Sequence, residues 1–224
     1  MKKIPVPTIN RLSIYLKCFN ELLDSGIMHV SSEKIAKIIG LNSAQVRKDL
    51  AFFGKFGRRG FGYNVSYLKE NITKILGTHK KWRICVIGAG NLGRALTMYK
   101  GFLNRGFNVV ACFDIDPAKI GWEIDGIKIY SMEEIEKIIK KEKIEIAIIT
   151  APSTALSDIM TILKKTNIKG VLNFAGKHIL PQERIMIRNV DLALELEQLT
   201  FLISNSGKIK LEEKSGKDTN NLQR

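Results

Sequence analysis

Six residues, Gly88-Ala89-Gly90-Asn91-Leu92-Gly93, constrain what this chain can fold into more than any other stretch. They follow a β-prone run, Trp82-Arg83-Ile84-Cys85-Val86-Ile87, and precede helix formers, so a strand must turn sharply into a helix there. A second β-prone run, residues 108–113, ends in Asp114, 21 residues beyond Gly93. A glycine repeat alone is weak, but strand, glycine turn, helix, strand and terminal acid together form a dinucleotide fingerprint. In that geometry Gly88 permits the turn, Gly90 lets a pyrophosphate approach the backbone, and Gly93 lets helix and strand pack closely. Unpaired N–H groups at the helix start face the phosphates. Asp114 accepts hydrogen bonds from the adenine ribose hydroxyls and repels a 2′-phosphate, which favours NAD(H) over NADP(H), with Lys119 as an opposing cation.

The pattern continues as strand and helix in alternation: 126–130, 132–141, 144–150, 156–165 and 170–174. This is the rhythm of a parallel sheet wound with right-handed crossovers, with ligands beyond the carboxyl ends of its strands. Thr150-Ala151-Pro152-Ser153 ends one such strand, so Ala151 and Pro152 either line the nicotinamide side of the cleft or only cap the next helix. At 224 residues and 45% hydrophobic content the chain has room for one large domain or two smaller cores, and it is too apolar for a disordered polymer. No apolar run reaches the roughly 18 residues needed to cross a bilayer, and the start lacks a signal-peptide pattern, so the expected location is cytoplasmic with no membrane partner. Cys18, Cys85 and Cys112 share no metal or redox spacing and read as reduced core residues, with no metal implied.

Charge divides the chain unevenly. Residues 1–81 hold 15 Lys/Arg against 5 Asp/Glu, a net of +10, whereas the remainder nets only +4 of the total +14. The basic residues are scattered over several short elements and do not line one face of a strongly apolar helix, so nucleic acid is the better partner than a membrane surface. From Pro7 the apolar positions 9, 12, 16, 19 and 23 have helical spacing, ended at Gly26. Ser31-Ser32-Glu33 caps a short helix stopped by Gly40, and Asn42 or Ser43 caps a third over 44–53. In that third helix Val46, Leu50 and Phe53 face the core, leaving Ser43, Gln45, Arg47 and Lys48 toward solvent at the half that reads base edges. Gln pairs with adenine and Arg with guanine through two hydrogen bonds each. Gly54-Lys55-Phe56-Gly57-Arg58-Arg59-Gly60-Phe61-Gly62-Tyr63 interleaves glycines, aromatics and cations, as in a β-hairpin wing whose Lys55, Arg58 and Arg59 follow the DNA backbone or minor groove. A helix over 66–76 and a linker over 77–81 close the domain.

Catalysis has little to work with. His178 and Lys177 follow the last strand of the sheet, but too few residues remain to build a substrate domain around them, and Tyr99 stands alone on a helix. The nucleotide therefore reads as an effector, and the chain as no enzyme. A small NAD(H)-dependent oxidoreductase and a CoA-binding module, which has a similar glycine turn, are the alternatives.

Taken together, these segments resemble the Rex family of redox-sensing transcriptional repressors. The resemblance rests on Arg11-Leu-x-x-Tyr15-Leu, Ser31-Ser32, Gln45-Val46-Arg47-Lys48-Asp49-Leu50, Gly57-x-Arg59-Gly60-x-Gly62-Tyr63-x-Val65, Gly88-x-Gly90-x-Leu92-Gly93, Phe113-Asp114-x-Asp116-Pro117, Leu172-Asn173-Phe174-Ala175 and Asn189-Val190-Asp191. It implies an α/β protein with four parts. These are a winged helix-turn-helix over 1–80, a Rossmann-like parallel-sheet domain over 81–188, a dimerisation helix over 189–205, and a disordered tail over 206–224. It also implies a homodimer on palindromic double-stranded operator DNA, released by NADH with NAD competing. The cofactor residues would be Gly88, Ala89, Gly90, Asn91, Leu92, Gly93, Tyr99, Asp114, Ala151, Pro152 and Asp191. The apolar stripe after Asp191, at Leu192, Leu196, Leu199 and Leu202 or Ile203, would cross to the partner protomer. The chain departs from the family pattern at Leu192, where an aromatic is more frequent, and at Lys17, where some relatives carry the Arg that pairs with Asp191.

Overall fold

The computed structural model describes residues 4–58 and 61–206, with Arg58 as backbone only. The tail from 207 and the Arg59 position lie outside the described residues. Two compact units divide between His79 and Lys80, and the C-terminal helix groups with the second.

The first unit opens with α1 (Val6–Asp24), which starts on Pro5 and Pro7, where a missing N–H goes unmissed, and ends at Gly26 in the left-handed region (φ +74°). Its buried face is Thr8, Leu12, Tyr15, Cys18, Phe19 and Leu22. That corrects the expected 9-12-16-19-23 stripe: Ile9 is exposed, because the polar Thr8 and Tyr15 turn inward to a buried carboxylate described below. After β1 (His29–Val30), α2 (Ser32–Ile39) is capped by Ser31 Oγ, which accepts from Lys34 N at 3.2 Å, and is stopped by Gly40. Next, α3 (Ser43–Ala51) is capped by Asn42, whose Oδ1 accepts from Gln45 N at 2.7 Å, so it begins one residue before the expected Ala44 and ends before Phe53.

β2 (Gly57–Arg58) and β3 (Gly62–Asn64) form the wing hairpin, and β1 pairs with the other edge of β3. Gly62 is required there: it has φ +72°, and a Cβ would lie 2.6 Å from the Val30 carbonyl oxygen. α4 (Val65–Ile75), capped by Asn64, begins one residue earlier than expected. Leu12, Tyr15, Phe19, Ile35, Val46, Leu50, Val65, Leu68 and Ile72 form the core, with Phe53 packed at its margin.

The second unit runs β4 (Trp82–Ile87), α5 (Asn91–Thr97), α6 (Lys100–Leu103), β5 (Phe107–Asp114), β6 (Glu123–Ile124), β7 (Ile127–Ser131), α7 (Ile135–Lys141), β8 (Ile146–Ile149), α8 (Leu156–Leu163), β9 (Gly170–Asn173), β10 (Met186–Asn189) and α9 (Leu192–Asn205). One sheet has the order β10-β9-β8-β4-β5-β7-β6. All its pairings are parallel except β6 with β7, an antiparallel edge that the alternating pattern did not reveal. Apolar side chains fill both faces, with Ile87, Phe113, Ile149 and Leu163 in one cluster and Val86, Cys112, Ile129 and Ile148 in the other. β4 lies between β5 and β8, so chain direction around the sheet reverses there, and the carboxyl ends of these three strands define the ligand crevice of such folds.

The three cysteines are free and buried, and burial pushes the Cys18 thiol up to about 11. In α9 no residue is buried: Leu192, Leu194, Leu196, Leu199, Phe201 and Ile203 are all exposed. It does not fold back on its own sheet.

Candidate nucleotide turn and nucleic-acid interface

The turn after β4 assigns a separate task to each glycine. Gly88 has φ +103°, and a Cβ on it would stand 2.8 Å from Ala151 N at the end of β8. At Gly93 a Cβ would fall 1.8 Å from the Gly88 carbonyl oxygen and 2.9 Å from Thr150 Oγ1. Thr150 in turn donates its hydroxyl to Gly88 O at 2.8 Å, stapling the turn to β8. Gly90 differs from both. Its φ of −76° suits any residue, and nothing lies within 4 Å of a Cβ built there. The fold itself does not need glycine at 90.

Beside this open face lies Asp114, at the end of β5 and 8% exposed. Its Oδ2 accepts from Ala89 N at 2.7 Å, its Oδ1 accepts from Asp116 N at 3.0 Å, and Lys119 Nζ reaches Oδ2 at 3.4 Å and Asp116 Oδ2 at 3.3 Å. Burial pushes its carboxyl up, but these backbone N–H groups and the Lys119 ammonium outweigh burial and hold it below the usual carboxylate range. A carboxylate has about four acceptor positions, and three are taken. The remaining one, on Oδ1, suits a hydroxyl donor.

Other expected cofactor residues are distributed around this centre. Asn91 and Leu92 are exposed in the first turn of α5, and Ala151 backs Gly88, with Pro152 exposed beside it. Tyr99 sits at the junction of α5 and α6, more than half exposed and edge-on to Phe102 at 5.1 Å. Asp191 caps α9, accepting from Ala193 N at 2.9 Å, while Lys17 pairs with Glu21 within α1.

Residue roles that the sequence did not disclose appear at the same carboxyl edge. Asn173, 2% exposed, donates from Nδ2 to Lys177 O and Asn189 Oδ1, both at 2.8 Å, and accepts from Ala175 N at 3.0 Å. This clasp fixes the loop after β9 just ahead of Asp191. An asparagine at a strand end carries no periodic signal, so only tertiary pairing reveals it.

In the first unit the recognition helix hangs on Asp49. This carboxylate is fully buried and accepts from Thr8 Oγ1 (3.2 Å), Arg11 Nε (2.6 Å), Arg11 Nη2 (2.8 Å), Tyr15 OH (2.8 Å) and Gln45 Nε2 (2.8 Å). Burial opposes its charge, but the hydrogen bonds from Arg11, Tyr15 and Gln45 prevail, and its carboxyl lies below the usual range. The Arg11 and Tyr15 positions of the sequence motif thus serve to clamp α3 onto α1.

Two expectations for α3 need correction. Gln45 is half-buried and tied to Asp49 instead of being free toward solvent, because a buried carboxylate recruits every donor within reach. Arg47 is exposed but not free: its Nη1 donates to Ser32 Oγ at 2.9 Å and Glu33 Oε1 at 3.1 Å. Ser43 is half-buried, and Lys48 and Lys55 are exposed. Between α3 and the wing runs a groove of about 720 Å³ whose walls include Ser32, Glu33, Arg47, Lys55 and Tyr63. Arg58 enters the wing ladder opposite Gly62.

A winged helix joined to an open parallel sheet with a dinucleotide turn defines a class: a DNA-binding regulator carrying a nucleotide-sensing domain. Comparison with known proteins makes this particular. The family model described as "Putative DNA-binding protein N-terminus" matches residues 3–51, and that described as "CoA binding domain" matches 79–176. The redox-sensing transcriptional repressor Rex of Carboxydothermus hydrogenoformans is 46% identical over 90% of this chain and 97% of its own length. That of Syntrophomonas wolfei is 44% identical over 90% and 96%, and Rex 1 of Thermotoga maritima 42% over 90% and 97%. Among solved structures, the Rex-family repressor RSP in complex with β-NAD+ and operator DNA superposes with a TM-score of 0.87 at 32% identity, covering 92% of this chain and 95% of that one. RSP in complex with β-NADH gives 0.82 at 31% identity, covering 92% and 97%. The chain belongs to the Rex family of redox-sensing transcriptional repressors. Among the described residues no helix is long and apolar enough to cross a membrane, and no cluster of His, Cys, Asp or Glu is arranged to hold a metal ion.

Proposed function

We propose that two copies of this chain bind a palindromic operator through Ser43, Arg47 and Lys48 of α3 and Lys55, Arg58 and Arg59 of the wing, with Gln45 held back on Asp49. NADH bound at the glycine turn and Asp114 releases them, and NAD competes for the same site. The observation that carries this reading is Gly90: an open backbone face that the fold itself does not require, next to a charged carboxylate with one acceptor position left for a ribose hydroxyl. Rex relatives similar over nine-tenths of the chain support it, as do the β-NAD+, β-NADH and operator complexes of RSP. The uncovered apolar side chains of α9 suit a helix that crosses to a partner protomer. The protein works in the cytoplasm and turns over no substrate.

NADH acts by favouring a dimer whose two recognition helices no longer match successive major grooves. Swinging such an equilibrium from 99:1 to 1:99 takes a preference of about 5.5 kcal/mol for the released state. The test is a fluorescence titration of NADH with and without operator duplex. The expected result is weaker NADH binding in the presence of operator, by the same factor by which NADH weakens operator binding, with little effect of NAD+. Equal operator affinity in saturating NADH and in none would overturn the proposal. The family model described as a CoA binding domain favours a second reading, in which the turn cradles CoA. Calorimetry with NADH and CoA in parallel decides between the two.

A further inference from the structure

Arg47 is held in an unusual way for a side chain expected to meet DNA. Only Nη1 of its guanidinium is engaged, by Ser32 Oγ at 2.9 Å and Glu33 Oε1 at 3.1 Å, and Ser32 Oγ also donates to Glu33 Oε1 at 3.1 Å. Glu33 stands in the first turn of α2, where its own backbone N–H, the hydroxyls of Ser31 and Ser32 and the Arg47 charge keep its carboxyl below the usual range. The carboxylate is therefore charged at neutral pH, and it faces the groove that runs between α3 and the wing. Among the described residues, Lys48 and Lys55 on the same surface have no ion-pair partner. Of Arg47, Lys48 and Lys55, the one given a counter-charge is the arginine, which is best suited to reading a base.

We propose that Glu33 is a specificity-determining residue, which withholds Arg47 from the phosphate backbone and presents it to a base edge. The inference rests on the assignment of Arg47 to DNA in the preceding section. A phosphate that captured Arg47 would come up against the Glu33 carboxylate, and two like charges in contact repel. A guanine edge is neutral and offers two acceptors side by side. Guanidinium has five donors in a rigid fork, so Nη1 stays on Glu33 while Nε and Nη2 remain for the base. Glu33 thus penalises contacts that carry no sequence information and leaves the informative one intact.

The test uses the full-length protein, an operator duplex and a scrambled duplex of equal length, with binding followed by fluorescence anisotropy across a range of salt. The Glu33 side chain is 67% exposed, so Glu33→Gln retains the fold, which unchanged hydrogen exchange of the α2 and α3 amides verifies. The variant should bind the scrambled duplex about threefold more tightly, the scale of an exposed ion pair. Its salt dependence should steepen by about one, for one added phosphate contact. Operator binding should change less, so the ratio of the two affinities falls. An unchanged scrambled-duplex affinity and slope, or equal tightening on both duplexes, overturns the role of Glu33. Arg47→Ala separates the two levels of inference. Should it leave operator binding intact, the DNA assignment of Arg47 itself fails. In an Arg47→Ala background the Glu33→Gln effect should vanish; if it persists, Glu33 acts only through net charge and the proposal is wrong.

Discussion

Asp49 and Asp114 are both buried aspartates whose carboxyl groups are held below the usual range, yet they do opposite work. Asp49 is saturated. Five hydrogen bonds from α1 and α3 close around it, and none of its surface is exposed. Asp114 sits at the carboxyl edge of a sheet with three donors and one acceptor position left over, beside a glycine that faces open space. A buried charge with every lone pair used is a joint, whereas one with an acceptor position left over at the edge of the sheet can still take a donor. The difference lies in the count of donors, which residue type alone cannot supply.

The comparison can be broken most sharply at Asp49. Asp49→Ala leaves the Arg11 guanidinium and the buried Tyr15 hydroxyl without their acceptor, so the first unit should lose about 3 kcal/mol, the lower end for a broken buried pair because Arg11 is partly exposed. Both tryptophans, Trp82 and Trp122, lie in the second unit, so hydrogen exchange of α1 and α3 amides is the suitable measure. Protection equal to wild type would mean that the joint contributes nothing.

Next in size is the contrast between two glycines. Gly90→Val should change stability by about 1 kcal/mol or less, since a cap residue is altered but nothing is struck, while NADH affinity falls about 100-fold. Gly93→Ala should lose stability and NADH together, because its methyl group would meet the Gly88 carbonyl. Thermal melts beside NADH titrations would show whether the two variants separate in this way. The smallest effect concerns Asp114→Asn, which keeps the shape but removes the charge that strengthens a hydrogen bond from ribose. NADH should bind about tenfold more weakly, a loss of about 1.4 kcal/mol, with operator affinity in the absence of nucleotide unchanged. An equal loss in DNA binding would mean that Asp114 is a joint like Asp49.

Much of the site was legible before any fold was known, for reasons that differ from residue to residue. Gly88, Gly93 and Asp114 were readable because a turn, a close helix and a strand end each restrict residue type at fixed spacing. Asn173 and Glu33 were not, because an amide at a strand end and an acid in a first helical turn are common everywhere, and their roles depend on partners 16 and 14 residues away. The α1 face was misjudged by about one position for the same reason. Hydrophobic spacing ignores Thr8 and Tyr15, which go inside for the sake of Asp49, 41 and 34 residues further along the chain.

By itself the sequence determined the order of elements, the glycine turn between β4 and α5, the helix caps at Ser31 and Asn42, and the concentration of positive charge in the first third. These follow from local stereochemistry and composition, which neighbours in the chain are enough to express. Tertiary structure alone decided the short strands β1, β6 and β10, the saturation of Asp49, the vacancy on Asp114 and the guarded state of Arg47. Each of these is a matter of which distant groups supply hydrogen bonds, and that is fixed only when the chain closes on itself.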